Sequence, residues 1–140
     1  MSQDPAYDAG MKVRREVLGD EHVDRAVQRT TELTAPFQDY ITRSVWGGVW
    51  TRPGLDRRMR SAVTLAVLTA LGRENEIAMH VRAAHRNGLS ESEIGEVLLH
   101  TAAYAGVPAS NAAFAIAQRT LAEAGGDETA PGGSEDPPGG

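Results

Sequence analysis

Apolar residues in this chain fall three and four apart in segment after segment, and no stretch shows sustained two-residue alternation bounded by turn signals. A helix gathers positions i, i+3 and i+4 on one face, whereas a strand alternates its faces. The spacing therefore predicts an all-α, compact helical bundle of about six to seven helices with no sheet. Met11, Val13, Val17 and Leu18 mark a weakly amphipathic helix over 5–18, before Gly19. Val23 and Val27 mark a short one over 20–30. Thr34 is a plausible N-cap, with Pro36 just inside a helix running to about Val45, where Gly47-Gly48 breaks it. Asp56 is placed to cap a helix ending at Leu71, and its 62–71 portion is apolar nearly all round, the pattern of a central buried helix. A helix over 74–86 closes at Asn87-Gly88, a left-handed stop signal. Ser90-x-x-Glu93 is a capping box that opens a helix to about Ala105, and an alanine-rich helix runs from beyond Pro108 to about Ala124. Many alanines let such helices approach closely.

A chain of 140 residues suggests one domain, expected over 1–125. The remaining 126–140, with five glycines, three prolines and no Leu, Ile, Val or aromatic residue, reads as a disordered acidic tail. Four of the nineteen acids lie there, so the net charge of -5 belongs mostly to the tail. The near-neutral remainder argues against a general nucleic-acid binder. Zero cysteines exclude disulfides, thiolate metal sites and thiol redox chemistry, and fit a reducing cytoplasm. The first twenty residues hold four acids and no apolar run, so no secretory signal is expected, and no stretch is long and apolar enough for a membrane span.

Three constellations could carry chemistry. Glu76 and His80 stand four apart on one helix face, where a carboxylate can orient an imidazole and tune it as an acid or base near neutral pH. The plainer reading is a solvated helix pair. A metal site is not expected, because His85 lies about 140° around the helix from His80. The stretch from Trp46 through Trp50, Arg52, Arg57 and Arg58 to Arg60 combines aromatic walls with guanidinium forks, which suits a small multiply charged anion. It also suits a loop whose tryptophans merely anchor it. Glu96, His100 and Tyr104 follow at four-residue steps, either as a second polar wall or, preferably, as an exposed or interface-facing stripe. His22 is expected at the surface, and His85 as a helix-terminal cation.

At these residues the sequence resembles the carboxymuconolactone decarboxylase family, within the alkyl hydroperoxidase D-like superfamily. The resemblance spans roughly 8–124. It rests on GGVWTRPGLDRRMRS (47–61), ENEIAMHVRAA (74–84), NGLSESEIGEVLLHTAAYAGVP (87–108) and the alanine-rich last helix. The VWTRPGLD segment points to the decarboxylase branch. Peroxidase members of the superfamily carry a Cys-x-x-Cys pair before a histidine; here Arg73 and Glu76 stand in those places, so that chemistry is impossible. The resemblance implies an alkyl hydroperoxidase D-like helical fold, a homo-oligomer (hexamer favoured) and cofactor-free decarboxylation of 4-carboxymuconolactone to 3-oxoadipate enol-lactone in protocatechuate catabolism, the β-ketoadipate pathway.

On that reading His80 donates a proton and Glu76 orients it, Arg57 or Arg60 clamps the side-chain carboxylate, Trp46 and Trp50 exclude water, and Tyr104 is a second donor to the lactone oxygen. No metal and no other cofactor is expected, and the partner is a dicarboxylate lactone. The alternatives are a lyase of the same fold acting on another carboxylated lactone or β-keto acid, and a non-catalytic helical binding module.

Overall fold

The computed structural model describes residues 4–126, and the expected tail over 126–140 lies, Gly126 aside, outside them. Among the described residues there are seven α-helices, one π-helix and no strand. The chain divides into two compact units with the boundary between Arg57 and Arg58.

In the first unit, α1 (Pro5–Leu18) starts where the Asp4 side chain accepts the amide of Ala6 at 2.9 Å. Pro5 needs no such partner, because it has no N–H. At Gly19, φ is 93°, a value open to glycine alone at low cost, and α2 (Asp20–Gln28) begins at once, folded back on α1. That reversal corrects one expectation. His22 is not at the surface but buried beside Val23, while Val27 is half exposed. Packing of the first turn of α2 on α1, rather than the Val23–Val27 stripe, decides which face is covered.

The helix expected from Thr34 to Val45 is two structures. The short α3 (Ala35–Tyr40) runs directly into a π-helix (Ile41–Trp46), in which the amide of Gly47 donates to the carbonyl of Thr42, five residues back, at 2.9 Å. The Thr34 side chain does not cap α3. Its hydroxyl accepts the amide of Thr31 at 2.9 Å instead. The π-helix packs on α1 backbone to backbone through two glycines. A methyl group on Gly10 would overlap the Thr42 carbonyl oxygen, and one on Gly47 would lie 2.5 Å from the Ala6 carbonyl oxygen.

In the second unit, α4 (Arg57–Leu71, all but its first residue), α5 (Glu74–Arg86), α6 (Glu91–Ala105) and α7 (Val107–Gly126) enclose one apolar core. Leu65, Ile77, Val81, Leu89, Ile94, Leu98, Ala113 and Ile116 form it. Small residues on α7 admit the other helices closely, and the buried Ser110 hydroxyl donates to the carbonyl of Leu98 at 2.8 Å, fastening α7 to α6. The capping box forms in full: Ser90 accepts from the Glu93 amide, and Glu93 accepts from the Ser90 amide. Gly88, with φ 104°, makes the stop after α5.

The reading of 62–71 as a central buried helix is corrected here. Of α4 only Ser61, Leu65 and Thr69, one stripe four apart, are buried; Val63 is 50%, Val67 48% and Leu71 60% exposed. Composition alone cannot tell a helix covered on all sides from one whose remaining apolar side is left open in the single chain.

Candidate functional site

The first unit holds Trp46, Trp50 and Arg57. Trp46 closes the π-helix and Trp50 follows one turn later, where its amide donates to the carbonyl of Val45 at 3.1 Å. Both are buried, and their rings pair at 5.1 Å between centroids with a 34° tilt. Arg57, at the start of α4, is already engaged: its guanidinium donates to Glu16 of α1 at 2.7 Å, with both side chains about two-fifths exposed.

The second unit holds Arg60, Glu76, His80 and Tyr104. Glu76 and His80 sit one turn apart on one face of α5, both half-buried, with Ile77, Met79 and Val81 buried around them. A carboxylate one helical turn from an imidazole can hold the ring in one orientation. Arg60, also half-buried, lies in the first turn of α4. Tyr104 is 85% exposed and stacks on His100 at 5.3 Å, so Glu96, His100 and Tyr104 form an open stripe along α6 in the single chain. His85 is exposed in the last turn of α5. Among the described residues no group of three or more His, Asp or Glu is arranged to hold a metal ion.

A groove of about 440 Å³ runs between α6 and α7, floored by Ile94, Leu98, Phe114 and Leu121 with Glu91 and Gln118 at its rim. None of the candidate residues lines it. Elsewhere in this unit, Arg58 joins the start of α4 to the start of α6. Its guanidinium reaches Glu93 at 3.2 and 2.6 Å and also donates to the carbonyl of Gly88. The Arg58 hydrogen bonds, helped by the Ser90 amide, hold the Glu93 carboxyl down at about 2.

The residue that sequence reasoning passed over is Arg14. It is 1% exposed, on the same face of α1 as Gly10, Val13 and Val17, and burial pushes its pKa below the ordinary value. The signal was present: residues 10, 13, 14 and 17 fall at helical spacing, which places a guanidinium on the covered stripe.

Comparison with known proteins adds to this geometry. The family model described as "Carboxymuconolactone decarboxylase family" matches residues 35–119. The chain is 47% identical over 125 residues to a 4-carboxymuconolactone decarboxylase of Acinetobacter baylyi, covering 89% of this chain and 93% of that one. It is 44% identical over 115 residues to a nitrosuccinic acid decarboxylase of Metarhizium robertsii, covering 82% and 80%. An uncharacterized 15.0 kDa protein of Paracoccus denitrificans is 32% identical over 74% of this chain and 77% of its own. No helix among the described residues is long and apolar enough to cross a membrane. With the matched region running from α3 into α7, and a relative 47% identical over 89% of the chain, this protein belongs to the carboxymuconolactone decarboxylase family.

Proposed function

We propose that the protein decarboxylates 4-carboxymuconolactone to 3-oxoadipate enol-lactone without a cofactor, as a step of protocatechuate catabolism in the cytoplasm. The observation that carries this is the 47% identity to the Acinetobacter baylyi decarboxylase over 89% of the chain. The chemistry explains why such a substrate suits these residue types. The departing carboxylate sits on the ring carbon γ to the lactone carbonyl, across a double bond. When that C–C bond breaks, its electron pair passes through the double bond to the carbonyl oxygen and gives a dienolate plus CO2. A proton added at the α carbon then yields the enol-lactone. The ring is its own electron sink. The protein has to hold a dianion, stabilise the growing oxyanion and supply one proton.

His80, as the imidazolium, gives the proton to the α carbon and recovers one from solvent, and Glu76 orients the ring. Arg57 or Arg60 holds the carboxylate that stays. Trp46 and Trp50 keep water from the carboxylate that leaves, which favours its loss as neutral CO2. Tyr104 donates to the lactone oxygen. The assembly is a homo-oligomer, a hexamer in the first place, and the open apolar side of α4 (Met59, Val63, Val67, Leu71) supports it.

A second reading has its own support in the nitrosuccinic acid decarboxylase at 44% identity. Nitrosuccinate is also a dicarboxylate whose departing group adjoins an electron sink, the nitro group, so the same set of roles would serve it. One experiment separates the two. The purified chain, with a chelator and no added cofactor, is incubated with each compound while CO2 release and loss of ultraviolet absorption are followed. Rapid turnover of the lactone is expected. Turnover of nitrosuccinate alone transfers the assignment to the second reading, and inertness towards both removes it.

A further inference from the structure

We propose that the buried Arg14 guanidinium is a positioning clamp that selects the π register of segment 41–46 and thereby sets the Trp46–Trp50 pair. Arg14 stands on α1, yet its two terminal nitrogens reach both sides of one junction in another segment. One donates to the Gln38 side-chain oxygen at 3.1 Å and the other to the Thr42 hydroxyl at 3.4 Å. Gln38 and Thr42 are four residues apart and straddle the step from Tyr40 to Ile41, where the α-helix becomes a π-helix. Thr42 is the shared element. Its hydroxyl donates to the carbonyl of Gln38 at 2.8 Å while accepting from Arg14, and its own carbonyl accepts the π-type bond from Gly47.

A guanidinium is an expensive choice here. No ion pair joins Arg14 to a carboxylate among the described residues, and an unpaired charge in so buried a place costs free energy that a hydrocarbon of similar size would not. What a hydrocarbon cannot do is donate a hydrogen bond to each of two acceptors one turn apart. The planar fork presents donors at fixed spacing and so recognises one separation of Gln38 and Thr42 rather than merely filling space. The register matters because each residue accounts for about 100° of helix phase. In uninterrupted α register Trp46 would turn by about that angle, and the order seen here, Trp46 buried between half-exposed Val45 and Val49, would be lost. π-Turns of this kind recur at functional sites. The link to turnover rests on the proposed role of Trp46 and Trp50; the clamp itself does not.

These two tryptophans are the chain's whole complement, so their exciton couplet in circular dichroism reports the pair directly. Arg14→Met should fold cooperatively with its helical signal retained and lose the couplet, and Arg14→Lys should fail to restore it. The rate constant kcat for CO2 release should fall by about tenfold or more, as a small misplacement near the chemistry can produce, with KM little changed. A folded Arg14→Met chain with the wild-type couplet overturns the clamp, whatever its activity. A lost couplet with unchanged kcat upholds the clamp and removes the tryptophans from the reaction. Should Arg14→Met not fold, the double variant Gln38→Leu/Thr42→Val, which deletes both acceptors, decides: a weakened couplet supports the clamp, and an unaltered one overturns it.

Discussion

Gly10 lies so close to Thr42 that a single methyl group on it would occupy the space of the Thr42 carbonyl oxygen and come within 2.9 Å of the Gly47 nitrogen. Both obstacles are backbone atoms, which no rotamer change can clear. Gly10→Ala should therefore force α1 off the π-helix and cost at least the roughly 1–3 kcal/mol typical of overpacking. Gly95 on α6 makes the contrast, because nothing lies within 4 Å of a methyl group there. Gly95→Ala should raise stability by about 0.5–1 kcal/mol, the helix cost of glycine relative to alanine. Urea melts of the two variants check both signs.

Glu93 predicts an acid limb of stability. Its carboxyl is held at about 2 against an ordinary 4.5, chiefly by Arg58 and then by the Ser90 amide. A lowered folded-state value stabilises the protein fully above the unfolded value, and that contribution fades as pH falls from about 4.5 towards 2. Glu93→Gln keeps an acceptor for the Ser90 amide but no charge for Arg58. Its urea midpoint should vary less with pH across that window than the wild type's, and an identical profile would place the acid sensitivity elsewhere.

His80→Gln should lower kcat by about 10²–10⁴ while leaving the melt and the assembly intact, the usual scale of general acid–base help. Stopped-flow measurement of lactone consumption checks it. Full turnover in the folded variant transfers the proton donor's role to another residue.

The two arginines separate by their partners. If Arg57 holds substrate, Arg57→Ala raises KM by about ten- to a hundredfold, the worth of one charged hydrogen bond of about 1.5–3 kcal/mol. Glu16→Gln, which releases Arg57 from its present ion pair, leaves KM unchanged or lowers it. If the arginine serves only its ion pair with Glu16, the two variants behave alike. Arg60→Ala tests the other candidate by the same KM measurement.

How much was legible in advance differs from element to element. Pro5, Asn87-Gly88 and Ser90-x-x-Glu93 act within a few residues of themselves, so the helices they bound appear where the sequence put them. The π-helix left no such mark. Nothing in ITRSVW excludes ordinary α geometry, and what favours the wider turn comes from α1, far back along the chain, through Arg14 and Gly10. Burial of His22 and exposure of Val63 and Val67 were likewise beyond a pattern that records apolar character but not which neighbour arrives to cover it. Of the candidate site, the shared face of Glu76 and His80 follows from helical periodicity alone. The pairing of Trp46 with Trp50, the occupation of Arg57 by Glu16 and the openness of Tyr104 depend on where separate segments pack. The ends of α1, α5 and α6 were set by short-range hydrogen bonding, which a linear sequence carries in full; the π register, burial and charge pairing were decided by contacts between distant segments, which exist only once the chain has folded.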